Sequence, residues 1–239
     1  MKRLGINIDH IATIRNARGS FHPDPFKGAK YVVQCGADSV TIHLREDRRH
    51  IKDEDVLKIC KNKKIHVNLE TSLNKDIIRI ALKYRPNFVC LVPENRKEIT
   101  TEGGLNLIKN KYKIKKFIKQ FQNKKIRTSL FINPNLKDVK IAKNLNADCI
   151  ELHTGKISDL IKQKKSYINE LKKIRKCCKL AYKIGLEVHA GHGLDYKSTE
   201  ILTRIKEIKE FNIGHFIIGE SIFYGLKKVI KRFKKISSK

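Results

Sequence analysis

Apolar and polar positions alternate along this chain in two patterns, and the first is a series of short runs rich in aliphatic residues. A continuous apolar run of this kind is typical of a strand that is buried on both faces of a parallel sheet. Eight runs fit the description and are predicted as strands: LGINID (4–9), SVTIHL (39–44), IHVNLE (65–70), FVCLVP (88–93), IRTSLFI (126–132), CIELHT (149–154), LEVHA (186–190) and FIIGE (216–220).

The second pattern lies between these runs, where apolar residues recur at helical spacing and lysines occupy the other face. The segment 24–36 begins with Pro25, which suits a first helical turn, and ends at Gly36, a common stop. The segments 136–147 and 167–185 have the same amphipathic character. We predict helices in these segments, and extra loops or helices in the longer intervals 94–106 and 155–168.

Eight strands that alternate with helices predict an α/β protein, a (β/α)₈ TIM barrel with additional helices. Its length of 239 residues suits one barrel domain over 1–239, and no Gly/Ser linker marks a second domain. An open doubly wound sheet is the alternative. It is disfavoured because no Gly-rich nucleotide fingerprint follows the first predicted strand.

Composition narrows the class of protein. The net charge of +29 raises the question of nucleic-acid binding. The lysines, however, are spread over the solvent faces of the predicted helices, and the chain has no Trp for stacking on bases. No apolar run of 18 residues and no apolar leader segment occur, so we expect no membrane association and a cytoplasmic location. Six cysteines without a CxxC pair agree with a reducing compartment.

Polar side chains cluster at the carboxyl ends of the predicted strands, where barrels of this class carry their chemistry. Taken singly, each of these is more often a structural residue, but together they point to one mouth of the barrel. Burying so many charges is costly unless they pair or bind something. The candidates are Asn7, Asp9 and His10 from strand 1, His43 and Arg45 from strand 2, Glu70 from strand 3, Pro93 and Glu94 from strand 4, Glu151 and His153 from strand 6, and His189 and His192 from strand 7.

Three Gly-rich pieces predict phosphate binding: TTEGG (100–104), AGHGL (190–194) and IGHFIIGES (213–221). Backbone N–H groups in the last two loops of such barrels often hold a phosphate. With Arg18, Arg45 and His50, they predict a ligand that carries more than one phosphate or other anionic group.

Nine motifs occur in order along nearly the whole chain: NIDHIATIRNARG (7–19), PDP (23–25), TIHLREDRRHI (41–51), NLE (68–70), LVPE (91–94), TTEGGL (100–105), IELHTG (150–155), AGHGL (190–194) and NIGHFIIG (212–219). Together they resemble the pyridoxine 5′-phosphate synthase family. The resemblance implies a ring-closing condensation of 1-deoxy-D-xylulose 5-phosphate with 3-amino-2-oxopropyl phosphate. The products are pyridoxine 5′-phosphate, phosphate and water. It also implies a homo-octamer and the use of neither a metal nor an organic cofactor.

The resemblance also implies roles for individual residues. His43 and Glu70 are expected to accept protons, His192 to donate one, and Glu151 to stabilise a cationic, iminium-like intermediate. Asn7 and Arg18 would hold the amino-ketone phosphate, with Gly193, Gly214 and His215 around that phosphate or the product phosphate. Asp9, His10, Arg45, His50 and Thr100 would contact the pentulose phosphate.

Two positions depart from the motifs of the family. His189 stands where the resemblance predicts Asn, and it adds a titratable group near His192. Glu220 stands where an Arg or another residue often follows IIG, and a carboxylate would repel a nearby phosphate. We therefore expect Glu220 to point away from the site or to pair with a lysine.

Three other hypotheses remain open from the residues alone. A metal-dependent barrel enzyme, such as an aldolase or epimerase, could use the His and Glu residues as ligands. A nucleic-acid-binding protein would bind with a strong salt dependence. A Schiff-base lysine is conceivable, although no predicted strand ends in Lys.

Overall fold

The computed structural model describes residues 1–94 and 103–238, and eight parallel strands in this part of the chain form a closed barrel in the order of the sequence. Because β8 pairs with β1, the open-sheet alternative is wrong and the predicted (β/α)₈ barrel is confirmed. The strands are β1 (Arg3–Asn7), β2 (Ser39–His43), β3 (Val67–Thr71), β4 (Phe88–Leu91), β5 (Arg127–Ile132), β6 (Cys149–His153), β7 (Glu187–Gly191) and β8 (Ile208–Ile213).

Helices surround the barrel, and within the described residues three places hold two helices instead of one: the β1–β2 connection, the β6–β7 connection and the segment after β8. The extra helix at Gly155–Lys162 lies in the interval 155–168, where the sequence predicts extra loops or helices. Most of the other predicted interval, 94–106, lies outside the described residues. The helices of the described residues are α1 (Asp9–Arg18), α2 (Pro25–Gln34), α3 (Asp53–Lys61), α4 (Lys75–Tyr84), α5 (Lys111–Asn123), α6 (Leu136–Asn144), α7 (Gly155–Lys162), α8 (Ile168–Lys183), α9 (Tyr196–Thr203), α10 (His215–Tyr224) and α11 (Leu226–Ser237). Among these helices, none is both long and apolar enough to span a bilayer.

The prediction for the eighth strand is wrong. Residues 216–220 lie inside α10, and the strand is the preceding segment IKEFNI of β8. This strand was not recognised because the charged residues Lys209 and Glu210 interrupt its apolar run. In the structure Lys209 is exposed, whereas Glu210 is buried. A short apolar run such as FIIGE does not distinguish a buried strand from a buried helical turn. The correction places Gly214 and His215 directly after a strand end.

The interior of the barrel is unusually polar. Ser39 on β2 donates a hydrogen bond to Glu210 on β8 across the intervening strand β1 (3.0 Å). This contact is possible because β1 has a glycine between them: a Cβ on Gly5 would lie 2.8 Å from Oγ of Ser39. Apolar neighbours such as Leu4 and Ile6 are fully buried, and their side chains alternate with the polar ones along the strand. The apolar core therefore lies mainly between the barrel and the helices.

The start of α9 fixes the loop that follows β7. Oδ1 of Asp195 accepts a hydrogen bond from the N–H of Ser198 (2.7 Å), and Oγ of Ser198 accepts one from the N–H of Asp195 (2.8 Å). This reciprocal capping box satisfies two N–H groups that a helix start would otherwise leave unpaired. It also anchors the AGHGL segment, which ends one residue before the cap.

Replacing Asp195 by Ala is expected to lower the free energy of unfolding by about 1 kcal/mol, because the cap is lost. Urea unfolding followed by circular dichroism measures this change. Asp76→Ala is a suitable control, since the Asp76 side chain is 75% exposed in its pair with Arg79 and should contribute only about 0.5 kcal/mol. Equal losses in the two variants would contradict a specific role for the capping box.

Candidate active site

A cavity of about 380 Å³ opens at the carboxyl ends of the strands. Most of the predicted site residues line it, which is expected when the ends of parallel strands converge on one mouth. They are Asn7, Asp9, His10, His43, Arg45, His50, Glu70, Glu151, His192, Gly193, Gly214 and His215. The structure thus brings together residues that are separated by up to about two hundred positions in the sequence.

Among the described residues to which the resemblance assigns a role, Arg18 does not line the cavity. Arg18 is exposed in the last turn of α1. Thr100 lies outside the described residues. Glu220, which raised the question of repulsion, lies in α10 more than one turn after Gly214 and also does not line the cavity.

Asp9 organises the floor of the cavity beside β1 and β2. Its carboxylate accepts hydrogen bonds from the N–H of His43 (2.9 Å) and from Nδ2 of Asn7 (2.9 Å). Nδ1 of His50 lies 3.9 Å from the same carboxylate. These contacts fix the ends of two strands against each other and hold a carboxyl group beside the imidazoles.

His43 lies between two carboxyl groups. Its Nδ1 is 3.5 Å from Oε2 of Glu70, and its Nε2 is 3.7 Å from Oε2 of Glu94. The His43 side chain is buried, so small movements would turn both separations into hydrogen bonds without exposing the ring to water. This arrangement suits an imidazole that exchanges protons with neighbouring acids.

Glu70 belongs to a group of buried carboxyls. Burial raises the pKa of Glu70 well above its usual range, and the negative charges of Glu151 and Asp9 raise it further. Burial likewise raises the pKa of Glu151 to about 7, although the charge of His189 and a hydrogen bond from Asn212 oppose that rise. Glu151 can therefore gain or lose a proton near neutral pH, and Glu70 holds its proton more strongly than an exposed glutamate does.

Glu151 stands at the end of a chain of interior hydrogen bonds. Nδ2 of Asn68 donates to Oγ1 of Thr41 (3.3 Å), which in turn donates to Oδ1 of Asn212 (3.2 Å). Nδ2 of Asn212 then donates to Oε2 of Glu151 (2.7 Å). A Cβ on Gly191 would lie only 2.1 Å from Oε1 of Glu151, so the glycine leaves the space that this carboxylate needs.

His192 adopts an unusual backbone conformation on the loop after β7. Its φ is +79°, a region that costs a non-glycine residue roughly 1–2 kcal/mol and is often found at functional sites. Its ring stacks on His153 with 4.7 Å between the ring centres. Burial and the neighbouring His192 lower the pKa of His153 to about 4, so His153 is neutral at pH 7.

The loop after β2 holds the basic side of the site. Arg45 is almost fully buried, with its Nε 3.7 Å from Oε1 of Glu94 and 3.9 Å from Oδ1 of Asp47. Burial lowers the pKa of His50, although the charge of Asp9 opposes this effect. Arg49 pairs with Asp47 at 2.6 Å, so part of this charged loop serves to hold its own shape.

Two strand-end candidates to which the resemblance assigns no role also contribute. Glu94 follows β4 and lies near both His43 and Arg45. Burial tends to raise the pKa of Glu94, but the neighbouring His43 and the N–H of Glu46 outweigh it and lower that pKa. His153 stacks on His192, a contact that nothing in the sequence indicates. Asn212 is the residue that the sequence analysis did not select, because the eighth strand was misplaced.

The metal-dependent alternative has two places to be tested in the described residues, and in each of them three ligand atoms lie within 4.8 Å of one another. One group, Cys149, Glu187 and His189, does not line the cavity. The other group, Asp9, His43 and Glu70, does line it. Both Asp9 oxygens already accept hydrogen bonds from the protein, however. We therefore assign no metal ligands here.

Comparison with solved structures shows the same fold in other enzymes. A monomeric form of phosphoribosylanthranilate isomerase from Thermotoga maritima has a TM-score of 0.60 at 16% identity, and covers 100% of this chain and 99% of its own. The tryptophan synthase A-subunit from Pyrococcus furiosus has a TM-score of 0.63 at 11% identity, with 100% and 98% covered. At these identities the likeness concerns the barrel alone.

Comparison with curated sequences is more specific. Pyridoxine 5′-phosphate synthase of Pelagibacter ubique (strain HTCC1062) is 74% identical over 239 residues, which is 100% of both chains. The enzyme of the same name from Zymomonas mobilis is 47% identical and covers 97% of this chain and 90% of its own. Residues 4–239 match the family described as pyridoxal phosphate biosynthesis protein PdxJ. This chain therefore belongs to the PdxJ family.

Proposed function

We propose that the chain catalyses the condensation of 1-deoxy-D-xylulose 5-phosphate with 3-amino-2-oxopropyl phosphate to pyridoxine 5′-phosphate, phosphate and water. The observation that carries the proposal is the convergence of the family's motif residues on one cavity, with three carboxyl groups and several imidazoles at its floor. Relatives that match the whole chain carry the name pyridoxine 5′-phosphate synthase.

Both substrates carry a phosphate, and the proposed site has two groups of residues to receive them. Gly193 and Gly214 bring backbone close to the cavity, and a Cβ on Gly214 would lie 2.9 Å from the Cβ of Asn7. With Asn7 and His215, they would hold the amino-ketone phosphate or the product phosphate, and Gly214 precedes the first turn of α10.

The pentulose phosphate would lie beside this first group in the same cavity, since His10 packs against His215. Arg45 and His50 contribute the basic groups there, and Asp9 and His10 complete the contacts. Arg18 and Thr100 remain proposed substrate contacts on the strength of the family motifs, the first for the amino-ketone phosphate and the second for the pentulose.

Ring closure requires several proton transfers between carbon, nitrogen and oxygen, for which groups that titrate near pH 7 are best suited. In the proposed mechanism, His43 and Glu70 accept protons and His192 donates one. Glu151 stabilises the positive charge that develops when the amine condenses with the ketone. The raised pKa of Glu70 makes its carboxylate, once formed, a stronger base than an exposed glutamate.

We also propose that the chain is a single domain over 1–239, acts in the cytoplasm without a metal or an organic cofactor, and assembles as a homo-octamer. These proposals rest on the family resemblance. The excess of lysines would remain a solvated surface rather than a nucleic-acid site.

The test is an assay with purified protein, 1-deoxy-D-xylulose 5-phosphate and freshly generated 3-amino-2-oxopropyl phosphate, with and without EDTA. Mass spectrometry measures pyridoxine 5′-phosphate, and a second assay measures released phosphate. We expect both products in equal amounts and no effect of the chelator. No product from folded protein would contradict the proposed reaction, and loss of activity with EDTA that returns with added metal would favour the metal-dependent alternative.

A further inference from the structure

A second group of charged residues lies at the opposite end of the barrel, beneath the proposed site. This lower ionic cluster consists of Arg3, Arg127, Glu187, His189 and Glu210. Nε of Arg3 donates to Oε2 of Glu210 (2.6 Å), and its Nη2 contacts Glu187. Nη2 of Arg127 lies 3.3 Å from Oε2 of Glu187. The cluster therefore joins the first residues of β1, β5 and β7 to β8.

His189 is the innermost member of the lower ionic cluster and is almost fully buried. Its Nε2 lies 2.8 Å from Oε1 of Glu187. Burial alone would lower the pKa of His189, but hydrogen bonds with Cys149 and Glu187 and the charge of Glu210 raise it to about 10. In turn, the hydrogen bond from His189 holds the pKa of Glu187 well below its usual range. These contacts favour the imidazolium form of the ring, against the nearby guanidinium of Arg3, whose Nη2 lies 3.3 Å from the same Nε2.

The strand register places His189 between two carboxyl groups. It is the partner of Glu151 across β6 and β7, and of Glu210 across β7 and β8. Within the cluster, the charges of Glu187 and Glu210 already match those of Arg3 and Arg127. The positive charge of His189 is thus left to be balanced by Glu151.

The other titratable groups that act on Glu151 are acidic. Glu70 faces it from β3, Cys90 from β4 and Glu210 from β8, while Asp9 adds negative charge next to Glu70. The partner position on β5 is the apolar Phe131. Among these described neighbours, His189 is the one cation, and it opposes both burial and the neighbouring acids.

We propose that His189 is a positioning residue: a cationic ring in the core of the barrel that holds the carboxylate of Glu151 ionised beneath the substrates. The inference rests on the proposed function, in which Glu151 stabilises a cationic intermediate and must be negative to do so. It assigns a role to the histidine at position 189, where the family resemblance predicts Asn. It also connects the lower ionic cluster to the chemistry at the mouth of the barrel.

The test variant is His189→Asn, which keeps a hydrogen-bond donor and the residue type that the resemblance predicts here, but removes the charge. Without the cation, the pKa of Glu151 is expected to rise by about one unit, the order expected when an opposite charge is removed from a neighbouring position. The acidic limb of kcat against pH should move upward by the same amount. At pH values below the shifted limb, we expect kcat of the variant to be about tenfold lower than that of the wild type. At pH values above it, kcat should recover, and KM should change little throughout.

The control is Lys234→Gln. Lys234 pairs with Asp38 at 2.7 Å, so this variant also removes a cation from an ion pair, but from one that joins α11 to the residue before β2, outside the barrel core. Its pH profile should overlay that of the wild type. A second measurement follows the ionisation of Glu151 without any turnover. Infrared difference spectra are recorded against pH for protein with ¹³C-labelled glutamate, and subtraction of the Glu151→Gln spectra leaves the signal of Glu151.

The proposal is overturned if wild type and His189→Asn show the same kcat–pH profile and the same infrared titration of Glu151. His189 would then be purely structural. If His189→Asn does not fold, Glu187→Gln is the second variant; it removes the partner that keeps the ring charged and should give a smaller shift in the same direction. No shift in that variant would also overturn the proposal. If the wild type forms no product, the proposed function fails, while the infrared titration still decides whether His189 controls Glu151.

Discussion

Replacing Glu70 by Gln is expected to lower kcat by about 10²- to 10⁴-fold, the range that a general acid or base contributes. Gln keeps the shape of the side chain 3.5 Å from Nδ1 of His43, but it can neither accept nor return a proton. Because the role of Glu70 is in proton transfer rather than in holding a phosphate, KM should change far less than kcat. Steady-state kinetics with both substrates measures this difference.

The same substitution makes a prediction about stability with a definite sign. Since the pKa of Glu70 is raised in the folded protein, the wild type loses stability as pH rises from the ordinary glutamate range through that raised value. Glu70→Gln cannot ionise, so its free energy of unfolding should exceed that of the wild type increasingly at higher pH. Loss of activity without loss of stability would separate a chemical role from a structural one.

Glu170→Gln is the matched control. Glu170 is a buried glutamate of α8 that pairs with Lys173 at 3.3 Å, and it is not among the residues that line the cavity. Its kcat should stay within about twofold of the wild type. Near-normal turnover in Glu70→Gln would remove Glu70 from the mechanism and leave His43 with Glu94 as the remaining acid–base pair.

The sequence was sufficient to predict the barrel and most of the cavity because both follow from local rules. Apolar runs mark strands, strands of a barrel end at one mouth, and polar residues at those ends must converge there. His43 and Glu70 illustrate this, since each lies at the carboxyl end of its own strand and the register makes them partners. The family motifs added roles, but not the geometry.

The predictions that were wrong or missing also have specific physical causes. β8 was misplaced because the sequence around Glu210 suggests a surface residue, whereas its burial is compensated by the ion pair with Arg3, 207 positions away, and by the hydrogen bond from Ser39. The lower ionic cluster could not be predicted for the same reason, since its members are neighbours only once the barrel closes. His189 appeared in the sequence as a neighbour of His192, whereas its contacts are with Glu187 and Cys149 below the site.

The second large effect is expected on stability, when a buried ion pair is broken. This pair lies behind the loop after β2, which carries the proposed pentulose contacts. Arg15 on α1 and Asp55 on α3 are both buried, with Nη1 to Oδ1 at 2.7 Å and Nη2 to Oδ2 at 2.9 Å. Nη2 also donates to the carbonyl of His50 (3.1 Å), and Asp55 accepts the N–H of Lys52 (2.9 Å). The pair therefore ties the helix after β1 to the end of the loop that carries His50.

Replacing Arg15 by Met is expected to lower the free energy of unfolding by about 3–5 kcal/mol, because Asp55 is then a buried charge without its partner. Urea unfolding measures the loss. The control Arg79→Met breaks an exposed pair with 3.4 Å between the charged atoms and should cost less than about 1 kcal/mol. The double variant Arg15→Met with Asp55→Leu should lose less than the sum of the two single losses, since it leaves no charge unpaired.

Additive losses would show that the two side chains contribute separately. In that case the pair would not be what holds His50 in place, and the KM for the pentulose phosphate should be unchanged in Arg15→Met.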